Sequence, residues 1–248
     1  MAGTRIVTDY SSGLTGLGLP GVTVVAPEAE KRRFGDPAGR AAYLAAYLEA
    51  VKAGPTPVIA LVGPYGYSPA QTAASGARND IGREQIHPDA VSVHNAGRAF
   101  LGLGAIAASI ALSGVEPSVA AKWLENGATA ASMWVVCRTE ALDGLGSEYA
   151  IEAPDGLPDS EYALLRVRLS SRVVAGFDTV ETALADARRR AGAAASGVVL
   201  AAGGLGLGTS EVLRTFDAAH PIEAPLAEWL RAALGDCIAF GAAPLARE

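Results

Sequence analysis

The chain has 248 residues, half of them hydrophobic and 19% charged, a balance typical of a folded globular protein. This length allows one large domain or two small ones, each with a substantial core. The formal net charge is −6. Acidic and basic residues are mixed along the chain, which argues against a basic surface for nucleic acid.

The two cysteines, Cys137 and Cys237, each lie in an apolar run typical of a strand. We expect both to be buried structural thiols, because one pair is no disulfide framework and no cluster has metal-ligand spacing. The chain begins without a recognisable secretory signal. The apolar, uncharged run 99–115 is shorter than a membrane span. We therefore expect a cytoplasmic protein with no membrane span, no metal and no cofactor.

In chain order, the first 142 residues alternate between strand and helix patterns. Apolar runs typical of strands occupy 5–9, 21–26, 58–62, 90–93 and 133–137. Segments with helix-start signals or helical spacing lie between them, at 36–54, 68–79, 99–113 and 117–131. Strands separated by helices predict parallel crossover units with helices on both faces of a sheet.

Residues 143–158 are rich in glycine, proline and acidic side chains. This composition predicts a linker between an N-terminal lobe, residues 1–142, and a smaller C-terminal lobe, residues 159–248. The second lobe has strand patterns at 162–174, with a hairpin around Ser170-Ser171, and at 198–202 and 237–240. Its helix patterns lie at 178–191, 210–219 and 226–234. The predicted fold is α/β with two lobes and a mostly parallel N-terminal sheet.

Three loops of the N-terminal lobe follow predicted strands, at the sheet edge where ligands bind in open parallel sheets. Their polar residues are Asp9, Ser11 and Ser12 in the first loop, Tyr67 and Ser68 in the second, and His94, Asn95 and Arg98 in the third. Hydroxyl, amide and guanidinium donors beside helix N-termini can hold a carboxylate. Structural roles stay open as well: turns or caps for the serines, a satisfied buried site for His94, and a local ion pair for Arg98.

A glycine-rich loop at 203–208 joins a strand to a helix in the second lobe. Such loops can cradle a phosphate with their backbone amides, although this spacing matches neither the Walker A motif nor the dinucleotide fingerprint. A nucleotide- or phosphate-binding protein therefore stays an alternative, beside a flap over a ligand or a plain tight turn. Ser68 is not in a Gly-x-Ser-x-Gly elbow, and no nucleophile–base–acid set can be assigned.

The opening of the chain resembles the DegV family, whose members begin with a strand reading Ile-Val-Thr-Asp followed by Ser or Thr residues. Here residues 6–14 read Ile-Val-Thr-Asp-Tyr-Ser-Ser-Gly-Leu, residues 22–27 match the family's second strand, and Phe34-Gly35-Asp36 resembles its aromatic-Asp pair. The order of later elements agrees through Cys137. The resemblance implies a two-lobe protein that holds a fatty acid between its lobes and presents the carboxylate to a partner kinase.

Several head-group residues of the family differ here. The Thr-Ser-Gln-Pro loop is missing, and the Leu-Ser-Gly-Thr-Tyr-Gln element falls on residues 66–71, where Gln71 matches and the serine is displaced to Ser68. His94-Asn95 replaces an Asp-Ser pair, and residues 240–244 replace a C-terminal His-x-Gly-Pro-Gly element. We therefore expect a divergent member that a fatty-acid kinase does not use efficiently.

The leading interpretation is a binding protein for a fatty-acid-like or polyketide-like amphiphile, with its long acyl chain in a cleft between the lobes. Burying such a chain gains about 0.8 kcal/mol per methylene. The alternative from another class is an enzyme of specialised metabolism, a cyclase or isomerase on the same scaffold. Tyr67, His94 and Arg98 would then be its acid–base and orienting residues.

Overall fold

The computed structural model describes residues 3–25, 39–63, 70–95, 101–127, 132–143, 151–152, 159–167, 171–226 and 228–246. Its helices are α1 (Arg40–Ala53), α2 (Ala70–Asp80), α3 (Leu101–Ser113), α4 (Pro117–Gly127), α5 (Val180–Ala191), α6 (Thr209–Arg214) and α7 (Glu228–Leu234). Its strands are β1 (Ile6–Asp9), β2 (Val22–Val25), β3 (Val58–Val62), β4 (Val91–Asn95), β5 (Ser132–Arg138), β6 (Ile151–Glu152), β7 (Tyr162–Val167), β8 (Ser171–Phe177), β9 (Val198–Ala202), β10 (His220–Glu223) and β11 (Cys237–Ala243).

The first four strands form a parallel sheet in the order β2-β1-β3-β4. All five residues of β3 are buried, as expected for a strand whose two faces are both covered. Helices α1 and α2 cover the outer face, where Tyr43 and Tyr47 pack against Val7 and Ala60. The inner face carries Ile6, Ile59 and Leu61 into a second core shared with the rest of the chain.

The other strands form a mixed seven-stranded sheet in the order β10-β9-β11-β5-β7-β8-β6. Strand β5 was predicted as the last strand of the first lobe, but it pairs antiparallel with β11 and β7 in this second sheet. An apolar run predicts a strand without naming its partners, because those partners come from distant parts of the chain. Helices α5 and α6 cover the outer face of this sheet.

Helix α3 lies between the two sheets. Its residues from Leu101 to Ile110 are buried on every side, consistent with an apolar sequence that has no polar face. Two glycines allow this close packing. A Cβ on Gly104 would lie 2.0 Å from the carbonyl oxygen of Ser12, and one on Gly241 of β11 would lie 2.0 Å from the carbonyl carbon of Leu101. The layers run α1/α2, first sheet, α3 with α4 and α7, second sheet, α5/α6.

The two-sheet α/β architecture confirms the predicted fold class, and several details refine it. The hairpin predicted around Ser170-Ser171 is the antiparallel pair β7–β8. Helix α5 begins after Thr179, whose Oγ1 accepts a hydrogen bond from the amide of Thr182 at 3.3 Å. Strand β10 was not predicted. Most of the proposed linker lies outside the described residues, and the division into lobes stays a prediction.

None of the helices in the described part of the chain is long and apolar enough to cross a membrane.

Candidate functional site

The loops predicted to bind ligand follow the carboxyl ends of β1, β3 and β4, which lie side by side in the parallel sheet. Asp9, Ser11, Ser12 and His94 are within the described residues. Tyr67, Ser68 and Arg98 lie outside them. Asn95 ends β4, and its side chain is outside what the structure describes. The structure thus describes the side chains of four of the eight predicted residues.

Strand alternation places these residues on two different faces. The register aligns Val24 of β2, Thr8 of β1, Leu61 of β3 and His94 of β4 in one row across the sheet. Register partners in a sheet share a face, and Leu61 belongs to the core between the sheets. Thr8 and His94 therefore lie on the inner face, whereas Asp9, the next residue after Thr8, lies on the outer face with Tyr43.

Asp9 connects the ends of β1 and β3. Its Oδ1 accepts hydrogen bonds from the backbone N–H and the hydroxyl of Ser11, the former at 2.8 Å, and its Oδ2 accepts one from the backbone N–H of Gly63 at 3.1 Å. Burial raises the pKa of this carboxyl, while the three hydrogen bonds act in the opposite direction. Both oxygens thus have donors from the chain itself, which is what a residue that positions two loops requires.

The two serines of this loop also bond within the loop. Ser11 donates to Asp9, and the buried Oγ of Ser12 accepts from the backbone N–H of Leu14 at 3.4 Å. The Ser12 carbonyl faces Gly104 of the central helix. These contacts support the turn interpretation of both serines, and a ligand-binding role for them stays a prediction.

Thr8 is a candidate that the sequence analysis missed. Its side chain is fully buried on the inner face, and its Oγ1 has no hydrogen-bond partner among the described residues. The signal was present in the sequence, because Thr8 is two residues after Ile6 and must share its face in an extended strand. The sequence therefore allowed the prediction that the Thr8 hydroxyl faces the core together with Ile6.

His94 is half-buried at the other end of the same row. Its Nε2 lies 2.8 Å from the hydroxyl oxygen of Ser92, the preceding residue on the same face. Burial lowers the pKa of His94, and the nearby carboxylate of Glu125 on α4 raises it by a smaller amount. The neutral imidazole is therefore the main form near pH 7.

A groove of about 360 Å³ borders the inner face at β2. It is lined by Leu14, Thr15, Gly16, Gly18, Leu19, Val22 and Val24. Val22 and Val24 are the register partners of Ile6 and Thr8, so the groove begins one strand from the unpartnered hydroxyl. This arrangement places a buried polar atom one strand from a groove that carries the side chains of Leu14, Leu19, Val22 and Val24, as a binding site for an amphiphile would require.

The glycine-rich loop of the second lobe is a tight turn. Leu205 and Gly206 at its tip have positive φ angles of 54° and 83°. The amides of Gly204 and Leu207 bond to each other's carbonyls, that of Gly203 donates to Thr209 Oγ1, and that of Gly208 donates to Glu211. Since four of its amides already have partners, this loop gives the phosphate-binding alternative little support.

Within the described residues, no group of three or more His, Cys, Asp or Glu side chains could hold a metal ion.

No family model matches the chain, and no curated protein matches it. Solved structures do. A DegV family protein from Thermus thermophilus, described as fatty-acid binding, has a TM-score of 0.70 at 15% identity and covers 98% of this chain and 100% of the other. A DegV family protein from Ruminococcus gnavus with vaccenic acid has a TM-score of 0.70 at 11% identity, covering 97% and 99%.

A stearic acid-binding protein from Eubacterium ventriosum has a TM-score of 0.69 at 11% identity, covering 97% of this chain and 98% of the other. At such low identities the likeness establishes the fold. It confirms the resemblance predicted from residues 6–14, and the chain therefore has the fold of the DegV family.

Proposed function

We propose that this protein binds a long-chain acyl amphiphile against the inner face of its four-stranded sheet. The observation that carries the proposal is the Thr8 hydroxyl, which is buried, has no partner among the described residues and lies one strand from the groove. A buried polar group without a partner costs about 1–3 kcal/mol. A ligand oxygen bonded to Thr8 Oγ1 would recover that cost.

The acyl chain would extend from Thr8 along the groove of Leu14, Leu19, Val22 and Val24, and towards the apolar helix α3. Burial gains about 0.8 kcal/mol per methylene, so affinity should increase with chain length until the groove is filled. The structural neighbours described as binding fatty, vaccenic or stearic acid support this ligand class. They share the fold over nearly the whole chain.

The test compares two buried threonines in delipidated protein. Thr8→Val removes a hydroxyl that has no partner, whereas Thr4→Val removes one that donates to the carbonyl of Val115. We expect Thr8→Val to keep or gain stability and to weaken binding of fatty acids about tenfold, the loss of one hydrogen bond. Thr4→Val should lose about 1 kcal/mol of stability and keep its affinity.

Affinities would be measured by thermal shift and native mass spectrometry with saturated acids of increasing length. Unchanged affinity in Thr8→Val contradicts the placement of the head group at Thr8. If no acyl compound raises the melting temperature and nucleotides do, amphiphile binding itself is wrong.

The second candidate, an acid–base enzyme, rests on the contact between Ser92 and His94. An imidazole nitrogen 2.8 Å from a hydroxyl oxygen is within reach for proton transfer, and a lowered pKa keeps that imidazole able to accept a proton at pH 7. If these residues are catalytic, the protein should convert a bound acyl compound, and this turnover should depend on both Ser92 and His94. A protein that only binds its ligand would show no turnover.

A further inference from the structure

The two cysteines of this chain lie directly opposite each other. Cys137 on β5 and Cys237 on β11 are register partners in the second sheet, and both side chains belong to the core between the sheets. Opposite residues of antiparallel strands have Cα atoms about 4.5–5.5 Å apart. Disulfides need a separation of about 4.4–6.8 Å, so the register alone meets this requirement.

We propose that Cys137 and Cys237 form a reversible cross-strand disulfide when the protein meets a small-molecule disulfide as oxidant. One protein thiolate attacks the small disulfide, forming a mixed disulfide and releasing one small thiolate. The second protein thiolate then attacks the cysteine sulfur of the mixed disulfide and releases the other. Two protein thiols are oxidised by two electrons, one small disulfide is reduced, and the two protons pass to the two released thiols.

A cleft of about 340 Å³ lies next to the pair at this end of the sheet. Its lining includes Arg138, which directly follows Cys137, and Asp236, which directly precedes Cys237. The thiols themselves are fully buried, and burial raises the pKa of each to about 12. Oxidation therefore requires local opening of the strand ends beside the cleft, and its rate should follow the small thiolate fraction.

The bond would join two neighbouring strands near the centre of the second sheet and enclose the residues between them in a long loop. In the chain-entropy account such long loops gain the most stability, here an increase in melting temperature on the order of 10 °C. Strand β11 also packs against helix α3 through Gly241. The disulfide would therefore restrain the strand that contacts the helix beside the proposed ligand site.

The test treats the reduced full chain with glutathione disulfide at pH 7 and pH 9. Free thiols are then counted in denaturant, and peptides are mapped without reduction. We expect the loss of both thiols, a Cys137–Cys237 peptide pair and recovery with dithiothreitol. The rate should be higher at pH 9 than at pH 7, because attack needs the thiolate, and a thiol exposed by local opening forms more of it at pH 9. Cys137→Ala and Cys237→Ala should each stop at the mixed disulfide.

The cysteine variants change core residues and can therefore lose stability. A second experiment uses wild-type protein alone. The incubation is repeated at a urea concentration just below the unfolding midpoint, where the strand ends open more often. If both thiols persist under both conditions, or if the bond joins two chains, the proposal is overturned. Oxidation of each thiol at the same rate in wild type and single variants, with no cross-link, overturns it as well.

Discussion

Asp9 and Thr8 are neighbours in sequence that have opposite environments. Thr8 has a buried hydroxyl without a partner on the inner face, whereas the Asp9 carboxylate on the outer face accepts from Ser11 and Gly63. Sequence reasoning selected Asp9 because it opens the loop that follows the first strand. Alternation along β1 adds Thr8, because a residue that shares the face of Ile6 faces the core between the sheets.

Replacing Asp9 by Asn should destabilise the fold by about 1–3 kcal/mol. Each carboxylate oxygen of Asp9 accepts a hydrogen bond from a backbone N–H. In Asn, an NH2 group replaces one of these oxygens, so two hydrogen-bond donors would point at each other. Urea denaturation at pH 7 would measure the loss. Asp89→Asn is the control, since Asp89 is 76% exposed and pairs with Arg78 at the surface, where such pairs contribute little. Equal effects of the two changes would contradict a positioning role for Asp9.

Asp9 should also give stability a characteristic dependence on pH. Because burial raises its pKa, the folded protein holds this proton at pH values where the unfolded chain has lost it. The Asp9 contribution to stability is therefore largest below the ordinary carboxyl pKa and is lost as the pH rises through the raised value. Subtracting the unfolding curve of Asp9→Asn from that of wild type between pH 3.5 and pH 7 would isolate this slope. A difference that increases with pH would contradict the raised pKa.

His94 should give stability the opposite dependence on pH. Burial lowers its pKa, so the unfolded chain takes up a proton first as the pH falls below the ordinary histidine range. Its contribution is present at neutral pH and is lost on acidification, and His94→Gln should remove that loss. Unfolding at pH 5 and pH 7.5 would measure it, with the exposed His87→Gln as control.

The same variants test whether His94 belongs to the ligand site. If it contacts ligand, His94→Ala should abolish ligand retention and change stability by less than about 1 kcal/mol. A structural histidine would instead cost about 1–3 kcal/mol, because Ser92 loses its partner. A destabilised variant with full affinity would contradict the functional assignment. If the protein is an enzyme, its activity should also depend on pH, with an apparent pKa in the histidine range.

Helix α3 is the element on which both sheets depend, and two glycines make its position possible. A methyl group on Gly104 or Gly241 would meet backbone atoms at 2.0 Å, and backbone has little freedom to move aside. Gly104→Ala and Gly241→Ala should therefore each cost about 3 kcal/mol or more in unfolding free energy. Gly82→Ala is the matched control, because its Cβ would have its nearest contact at 3.9 Å and should change stability little. Similar losses at all three positions would contradict the close-packing explanation.

Among the elements, the apolar ones were predictable and the partners of the strands were not. The continuous apolar run of β3 and the uncharged run of α3 predicted buried elements, because burial on all sides leaves no polar periodicity. The apolar run of β5 equally predicted a strand, but its place beside β11 depends on contacts formed a hundred residues away. Strand β10 was missed because His220 and Pro221 weaken its strand signal.

At the scale of the whole molecule, the fold was predictable from a short opening motif, whereas the residues of the site stay a prediction. Asp9, Ser11, Ser12 and His94 lie at the carboxyl edge of the first sheet, as the crossover pattern predicted. The sequence analysis did not predict that these residues lie on two different faces of the sheet. It grouped residues by loop, and the alternation of side chains between faces applies only within a strand. Thr8 was therefore passed over in favour of the serines that follow it.

A fatty-acid kinase should use this protein poorly. We predict from the sequence that residues 240–244 stand where the family has a histidine-containing element, and Phe240 is fully buried on the outer side of the second sheet. We expect acyl-phosphate formation at least tenfold below that of an ordinary family member assayed with the same kinase. Ligand loading measured in parallel would separate poor phosphorylation from poor binding. Equal turnover at equal loading would show that the missing residues are dispensable.

Strand β11 follows the other described strands in sequence, yet it lies inside the second sheet, between β9 and β5. On the ribosome, β5 and β9 would emerge long before the strand that joins them, and each would wait with an unpaired edge. Pairs such as β7 with β8 can form early, but the sheet is completed only when β11 inserts. A nascent chain of this protein is thus exposed to strand-swapping and aggregation until β11 has been synthesised, and chaperone dependence should be concentrated in that interval.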